Sequence, residues 1–138
     1  MCSSDLIEVM KSSLIRGKMC ERVGQLAQRS GTTGILPPGS LFLIGLFSHL
    51  DTLLGIPLPQ ILESITMAPE AKAAILDRTG PSGIVLRGVV AYCDADWSGS
   101  EQDFRAVGVD PDLAADLFLD AIAWAGDSLA PALDQAAA

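Results

Sequence analysis

The segment Phe42–Leu58 reads FLIGLFSHLDTLLGIPL. It is too apolar for an exposed helix, and polar residues such as His49 interrupt it too often for a membrane span. Its apolar residues recur at the i, i+3, i+4, i+7 spacing of an amphipathic helix, which begins near Ser40 and ends at Gly55. The spacing predicts a central core stripe of Leu43, Leu46, Phe47, Leu50 and Leu54.

Signals for helix ends recur along the rest of the chain, and signals for strand ends are almost absent. Asp5 with Glu8 predicts the N-terminus of a long first helix that ends near Gly31. The β-branched run after Ser82 could form a strand on propensity alone, but a helix is favoured. Further helix starts are predicted at Pro59, Pro69, Ser82, Ser98 and Asp110. The sequence therefore predicts an all-α fold of about seven helices.

Length and composition predict one small domain. The 138 residues, 49% of them apolar, can supply a single buried core. We assign this domain to residues 1–132 and expect residues 133–138 to fray. The net charge of −8 would repel nucleic acid and anionic lipid. The longest apolar run, Leu41–Phe47, is far shorter than the roughly 20 residues of a membrane span, so neither nucleic acid nor a membrane is an expected partner.

The cysteines indicate a reducing compartment. Cys2, Cys20 and Cys93 are odd in number and far apart, which signals neither a disulfide framework nor a zinc site. Charged residues interrupt the N-terminal segment before it reaches the length of a signal peptide. The expected location is the cytoplasm.

The pattern of candidate catalytic residues opposes catalysis. His49 is the only histidine, and a binuclear hydrolytic site needs several histidine and aspartate ligands from different helices. On one helix His49 and Asp51 would point about 200° apart, and Ser48 lacks a nucleophile elbow. We therefore expect a structural His49, no catalytic residue, no metal ligand and no cofactor.

Two further groups of residues have simple structural interpretations. Cys20 has no basic activator in a defined geometry, which favours a buried small hydrophobe over a reactive thiol. Asp94, Asp96, Glu101 and Asp103 do not follow the order of an EF-hand loop, which favours a solvated acidic turn over a calcium site.

Some aromatic residues, and some apolar residues outside the predicted stripe, are candidates for contact with a partner. Trp124 falls on a stripe of the last helix and is expected in the core; Leu113, Leu117 and Ala121 complete that stripe. Trp97 follows a turn, where it could either staple the next helix or face a partner. Leu41 and Ile44 lie beside the predicted stripe, so we expect them in an uncovered patch that supports association. Trp97, Leu41 and Ile44 are thus the candidate interaction residues.

Several separated blocks resemble one bacterial family. Residues 16–21, RGKMCE, resemble its Arg-x-Arg-x-Cys-Glu stretch, with Lys18 in place of the second arginine. The segment Phe42–Leu58 is similar to its Phe-Leu-x-Gly-Leu-Phe-Ser-x-Leu-Asp block. Residues 121–125, AIAWA, resemble its closing Ala-x-x-Trp-Ala.

A fourth block departs from the same pattern at two positions. Residues 92–97, YCDADW, resemble Tyr-Glu-x-Gly-Asp-Trp, with Cys93 in place of glutamate and Ala95 in place of glycine. In their order, the four blocks resemble the HDOD domain, in the form found at the C-terminus of EAL-HDOD signalling proteins.

The resemblance implies a compact helical bundle, related to the HD phosphohydrolases but without their metal chemistry. It further implies a noncatalytic regulatory domain of cyclic di-GMP signalling that contacts a protein partner or a preceding domain of the same protein. Self-association is a separate expectation, which comes from the uncovered apolar patch. The family's domain is longer at its N-terminus than this chain. The resemblance also implies a parent protein that can carry an EAL phosphodiesterase domain. The alternative is a degenerate metal-dependent phosphohydrolase that relies on carboxylates, which the single histidine disfavours.

Overall fold

The computed structural model describes residues 3–137 and places the side chains of residues 6–131. Within this range the chain forms eight α-helices and one 3-10 turn and contains no strand, which confirms the all-α fold class. The helices are α1 (Ser3–Arg29), α2 (Pro38–Phe47), α3 (Leu50–Leu54), α4 (Leu58–Glu63), α5 (Pro69–Leu76), α6 (Gly80–Cys93), α7 (Trp97–Ala106) and α8 (Ala114–Ala137), and the 3-10 turn is Pro111–Leu113. No helix in the described range is long and apolar enough to cross a membrane.

The long helix α1 lies at the centre of the bundle and packs against α2, α6 and α8. It ends where Gly31 adopts a φ of 97°, a left-handed conformation that glycine accepts without strain. The core is one contiguous cluster to which most of the helices contribute. Its largest fully buried side chains include Phe104, Met19, Leu41, Ile44, Leu62, Ile75 and Leu86.

The helices α1 and α2 cross at a pair of glycines. A Cβ atom added at Gly45 would lie 2.7 Å from the Arg16 carbonyl oxygen and 2.7 Å from the Gly17 Cα. A Cβ atom added at Gly17 would lie 2.8 Å from the Phe42 carbonyl oxygen. Only residues without a side chain allow the two backbones to approach this closely.

This crossing sets which face of α2 is buried, and the predicted stripe had the wrong register. Leu43 and Leu54 are 41% and 52% exposed. Leu41 and Ile44 are fully buried, so the expectation that they lie in an uncovered patch was wrong. The physical reason is that α2 is apolar on almost every side, so its periodicity cannot select a face, whereas the glycine contact does.

The single helix predicted from Ser40 to Leu54 is broken in the structure. It begins earlier, at Pro38, and it stops at Phe47 before α3 begins at Leu50. At the break, the Ser48 hydroxyl donates a 2.7 Å hydrogen bond to the carbonyl oxygen of Gly45. Such bonds compete with the regular helical pattern.

Two predicted helix caps were placed at the wrong residue. Ser82 lies inside α6, where its hydroxyl oxygen accepts a 3.0 Å hydrogen bond from the backbone amide of Leu36. Ser98 lies in the first turn of α7, and Asp96 caps that helix by accepting from the backbone amide of Gly99 at 3.1 Å. The prediction that Asp110 opens the last helical segment is confirmed, since its side chain caps the 3-10 turn leading into α8.

The C-terminal helix α8 runs through Ala137 and contains Pro131. The backbone of residues 133–137 is therefore helical, and Ala138 lies outside the described residues. The boundary at residue 132 and the fraying of residues 133–138 stay predictions. Of the stripe predicted on this helix, Ala121 is fully buried, whereas Leu113 lies in the 3-10 turn and is 41% exposed.

Candidate functional site

Trp97 is the most exposed aromatic side chain among the described residues. It is the first residue of α7 and is 58% exposed. Between α6 and α7 the chain turns through Ala95, which has a φ of 64°. This left-handed conformation is unusual for a residue with a side chain. The turn brings Trp97 back against the end of α6.

The turn builds an aromatic cluster at the surface. The rings of Tyr92 and Trp97 meet edge to face, with centroids 5.0 Å apart. The ring of Tyr92 also meets Phe118 of α8 edge to face, at 5.2 Å. Edge-to-face pairs at these distances are favourable for aromatic rings. Trp97 is therefore held in place on one side while most of its surface remains free.

Trp124 has a different environment, at the junction of α1, α2 and α8. Its ring packs edge to face against Phe42 at 5.6 Å, and the Lys18 ammonium lies 4.9 Å from its centroid. It is half-buried and lies outside the buried core cluster, so the expectation that Trp124 lies in the core was wrong. The charged Lys18 covers one side of its ring instead.

A second cluster surrounds the lone histidine. His49 lies at the break between α2 and α3, and the neighbouring Ser48 hydroxyl oxygen accepts a 3.3 Å hydrogen bond from Arg16 Nη1. Arg16 Nε and His49 Nδ1 are both buried and have no hydrogen-bond partner among the described residues. A cavity of about 200 Å³ adjoins them, lined by Ser12, Ile15, Arg16, His49, Cys93, Asp94 and Phe118.

The electrostatics of this cluster are dominated by burial and by guanidinium groups. Burial lowers the pKa of His49 below its ordinary value of 6.5, and the charge of Arg16 lowers it further. Burial followed by the charge of Arg16 also lowers the pKa of Arg78. Asp51 and Asp94 act on both groups in the opposite direction, but more weakly. His49 is therefore a neutral imidazole at pH 7.

The surroundings of His49 do not form a metal site. Among the side chains placed between residues 6 and 131, no three of His, Cys, Asp or Glu converge in a way that could hold a metal ion. Asp51 instead accepts a hydrogen bond from the backbone amide of Thr52 at 2.8 Å. The nearby cation Arg16 would repel a divalent metal.

The acidic residues after α6 are dispersed rather than clustered. Asp96 caps α7, and Glu101 pairs with Arg105 at 2.6 Å on the surface. Asp103 is only 6% exposed and pairs with Arg87 through two hydrogen bonds of 3.0 and 2.8 Å. The expectation of a solvated turn was therefore wrong for Asp103, because it joins α6 to α7.

The buried cysteine fits its sequence interpretation. Cys20 is fully buried in the core, and burial raises the pKa of its thiol far above the ordinary value. This confirms the prediction of a buried small hydrophobe.

The sequence did not predict that Arg16 would lie beside His49, or that the charge of Arg16 would act on Arg78. These three residues belong to segments far apart in the chain, and no local pattern relates them. Arg78 has a φ of 56°, so the turn between α5 and α6 sets its position. A left-handed position in a turn is usually occupied by glycine or asparagine, whereas here it is occupied by Arg78.

Comparison with known proteins finds partial relatives. The chain is 36% identical over 86 residues to the cyclic di-GMP phosphodiesterase CdgJ of Vibrio cholerae, an alignment that covers 62% of this chain and 20% of that protein. It is 28% identical over 117 residues to the uncharacterized protein YuxH of Bacillus subtilis, which covers 85% of this chain and 27% of that protein.

The chain thus spans about a fifth and about a quarter of these two relatives. It is homologous to part of CdgJ. No family model and no solved structure matches it.

Proposed function

We propose that this chain is a noncatalytic, HDOD-type regulatory domain of a bacterial cyclic di-GMP signalling protein, and that it acts through contacts with other proteins. The partial homology to CdgJ supports the connection with cyclic di-GMP. The ordered blocks of the sequence support the HDOD type. The proposed partner is a separate protein or another domain of the same polypeptide.

The observation that carries the noncatalytic role is the environment of the lone histidine. A hydrolytic metal centre needs neutral or anionic ligands that converge on one point. His49 instead lies near the guanidinium group of Arg16, whose positive charge lowers the pKa of the imidazole. A metal bound beside His49 would have to overcome the repulsion of this cation.

The turn before α7 supports the HDOD type on physical grounds. Ala95 stands where the resembled family has glycine, and here its φ is 64°. Glycine accepts this conformation without strain, whereas alanine adopts it at a cost of about 1 kcal/mol or more. The family's preference for glycine therefore matches a requirement of this backbone.

The exposed Trp97 supports a role in protein contacts. Tryptophan is enriched at the energetic centres of protein interfaces, and a fixed ring loses little conformational entropy on binding. Trp97 combines 58% exposure with an edge-to-face contact that limits its motion. The interaction residues Leu41 and Ile44 have no such role in this fold, because both are fully buried.

The noncatalytic role is tested by hydrolysis assays on the purified chain, with cyclic di-GMP and with bis(p-nitrophenyl) phosphate, in the presence of Mn²⁺, Mg²⁺ or Zn²⁺. We expect no turnover above the metal alone, and the same result for His49→Ala. Metal-dependent turnover that chelation abolishes would establish the degenerate phosphohydrolase instead, and turnover that survives in His49→Ala would assign it to carboxylates.

The protein-contact role is tested by crosslinking in bacterial cells. A photo-crosslinking benzoylphenylalanine replaces Trp97 in one variant and Leu119, which is 62% exposed on α8, in the control. We expect a discrete adduct of defined mass from position 97 and none from position 119. Equal adducts from both positions, or none from position 97, would contradict this role.

A further inference from the structure

A pocket beside Trp97 is lined by both aromatic residues and carboxylate residues. It lies between the end of α6, the first turns of α7 and the 3-10 turn, and its volume is about 170 Å³. The residues that line it are Tyr92, Trp97, Ser100, Glu101, Phe104, Pro111, Asp112 and Ala114. Three of these eight are aromatic and two carry a carboxylate, so the pocket offers rings and negative charge together.

The aromatic part of the pocket is rigid. Phe104 is fully buried in the core, and Gly88 packs so closely on its ring that an added Cβ would lie 2.8 Å away. Tyr92 is held edge to face between Trp97 and Phe118. The rings are therefore in place before any ligand arrives, which reduces the entropic cost of binding.

The polar part of the pocket is not neutralised by the protein itself. Glu101 pairs with Arg105, but both side chains are largely exposed, and such a surface pair contributes only about 0–1 kcal/mol. Arg105 does not line the pocket, and Asp112 forms no salt bridge among the described residues.

One of the residues that line the pocket has an unsatisfied hydroxyl. Ser100 is 2% exposed, and its Oγ has no hydrogen-bond partner among the described residues. A buried polar group without a partner costs about 1–3 kcal/mol. A ligand that brings an N–H donor within reach of this oxygen would recover that cost.

We propose that this pocket binds the cationic side chain of a lysine or arginine from a partner protein. Ammonium and guanidinium groups are attracted to aromatic faces within about 6 Å, and the attraction grows when the cation is desolvated. The carboxylates of Glu101 and Asp112 add direct Coulomb attraction. This inference rests on the proposed function and names the chemistry of the partner in that contact.

The charge of the chain favours a basic partner over a second copy. With a net charge of −8, two copies repel each other, whereas a lysine- or arginine-bearing segment is drawn to this surface. An apolar side chain would leave the Asp112 carboxylate and the Ser100 hydroxyl unpaired next to it, which makes it a poorer occupant.

The test is a titration of the full chain, labelled with ¹⁵N, with four short capped peptides. They share one sequence, acetyl-Gly-X-Gly-amide, in which X is lysine, arginine, norleucine or glutamate. The reported signal is the indole N–H resonance of Trp97, and the indole of Trp124 serves as an internal control in the same spectrum.

We expect the lysine and arginine peptides to shift the Trp97 indole saturably while the Trp124 indole stays in place. The norleucine and glutamate peptides should produce at most a small fraction of that shift. Glu101→Gln combined with Asp112→Asn should weaken binding at least about threefold. Glu63→Gln, an exposed carboxylate on α4 remote in sequence from the pocket, should leave binding unchanged.

Two results would overturn the proposal. Equal shifts with norleucine would make the pocket a general apolar site, and no shift with any peptide would leave it without the proposed ligand. Neither result touches the noncatalytic role, which the hydrolysis assays measure separately. A discrete photo-adduct at position 97 together with no peptide binding would keep the protein contact and reject only its cationic chemistry.

Discussion

The close crossing of α1 and α2 predicts that a single methyl group added at Gly45 destabilises the fold. In Gly45→Ala the new Cβ would lie 2.7 Å from two backbone atoms of α1. Alanine is better than glycine in a helix by at most about 1 kcal/mol. Overpacking costs about 1–3 kcal/mol, and the upper end applies here because backbone atoms cannot rotate away. We expect a net destabilisation of about 2 kcal/mol.

The matched control is the same substitution at Gly126, in the interior of α8. No heavy atom outside its own helix and chain neighbours lies within 4 Å of a Cβ added there. Gly126→Ala should therefore gain the helix propensity and stabilise the chain by up to about 1 kcal/mol.

Thermal unfolding followed by circular dichroism distinguishes the two variants. For a chain of this size 1 kcal/mol corresponds to roughly 4 °C in Tm. Gly45→Ala should melt about 8 °C lower than the parent, and Gly126→Ala a few degrees higher. If Gly45→Ala were as stable as Gly126→Ala, the helices could not be in contact through these glycines, and the register of α2 would be wrong.

Two further predictions compare matched pairs of variants, and a third concerns the dependence of stability on pH. Leu41→Ala should cost about 2–5 kcal/mol in chemical denaturation, whereas Leu43→Ala, at a 41% exposed position, should cost less than half as much; equal costs would refute the buried face of α2. Burial lowers the pKa of His49, so as the pH falls the imidazole is protonated in the unfolded chain before it is protonated in the folded chain. The contribution of His49 to stability is therefore complete above pH 6.5 and is lost as the pH falls toward the lower pKa of the folded chain. The stability advantage of the parent over His49→Gln should therefore shrink from about pH 7.5 to about pH 5, and an advantage independent of pH would contradict the shift. Asp96→Ala should cost about 1 kcal/mol through loss of the α7 cap, against a few tenths for Ser98→Ala in urea unfolding, and the reverse order would restore Ser98 as the cap.

The sequence predicted the elements that rest on local chemistry. Pro69 at the start of α5 and Asp110 before α8 act through their own backbone or side chain, so their neighbours suffice to identify them. The all-α class follows from the repetition of such signals. The sequence assigned α6 as a helix although its β-branched residues favour a strand, and the structure confirms that assignment.

The features that the sequence did not predict depend on distant partners. The buried face of α2 is chosen by its contact with Gly17, which lies in another helix. The cavity beside His49 needs Arg16 from α1 and Asp94 from the turn after α6. Trp97 could be recognised as a candidate, but the pocket beside it needs Phe104 and the 3-10 turn, which periodicity does not place.

Phe104 belongs both to the buried core and to the wall of the surface pocket. Binding of a ligand in the pocket and folding of the chain are thermodynamically linked. A ligand that binds only the folded chain raises the free energy of unfolding as the ligand concentration rises. Because the ring of Phe104 is fully buried, it closes the inner side of the pocket without presenting a face at the surface. Leucine at this position would keep most of the buried volume but not the flat shape of the ring, so Phe104→Leu separates what the bundle needs in order to fold from what the pocket needs in order to keep its shape.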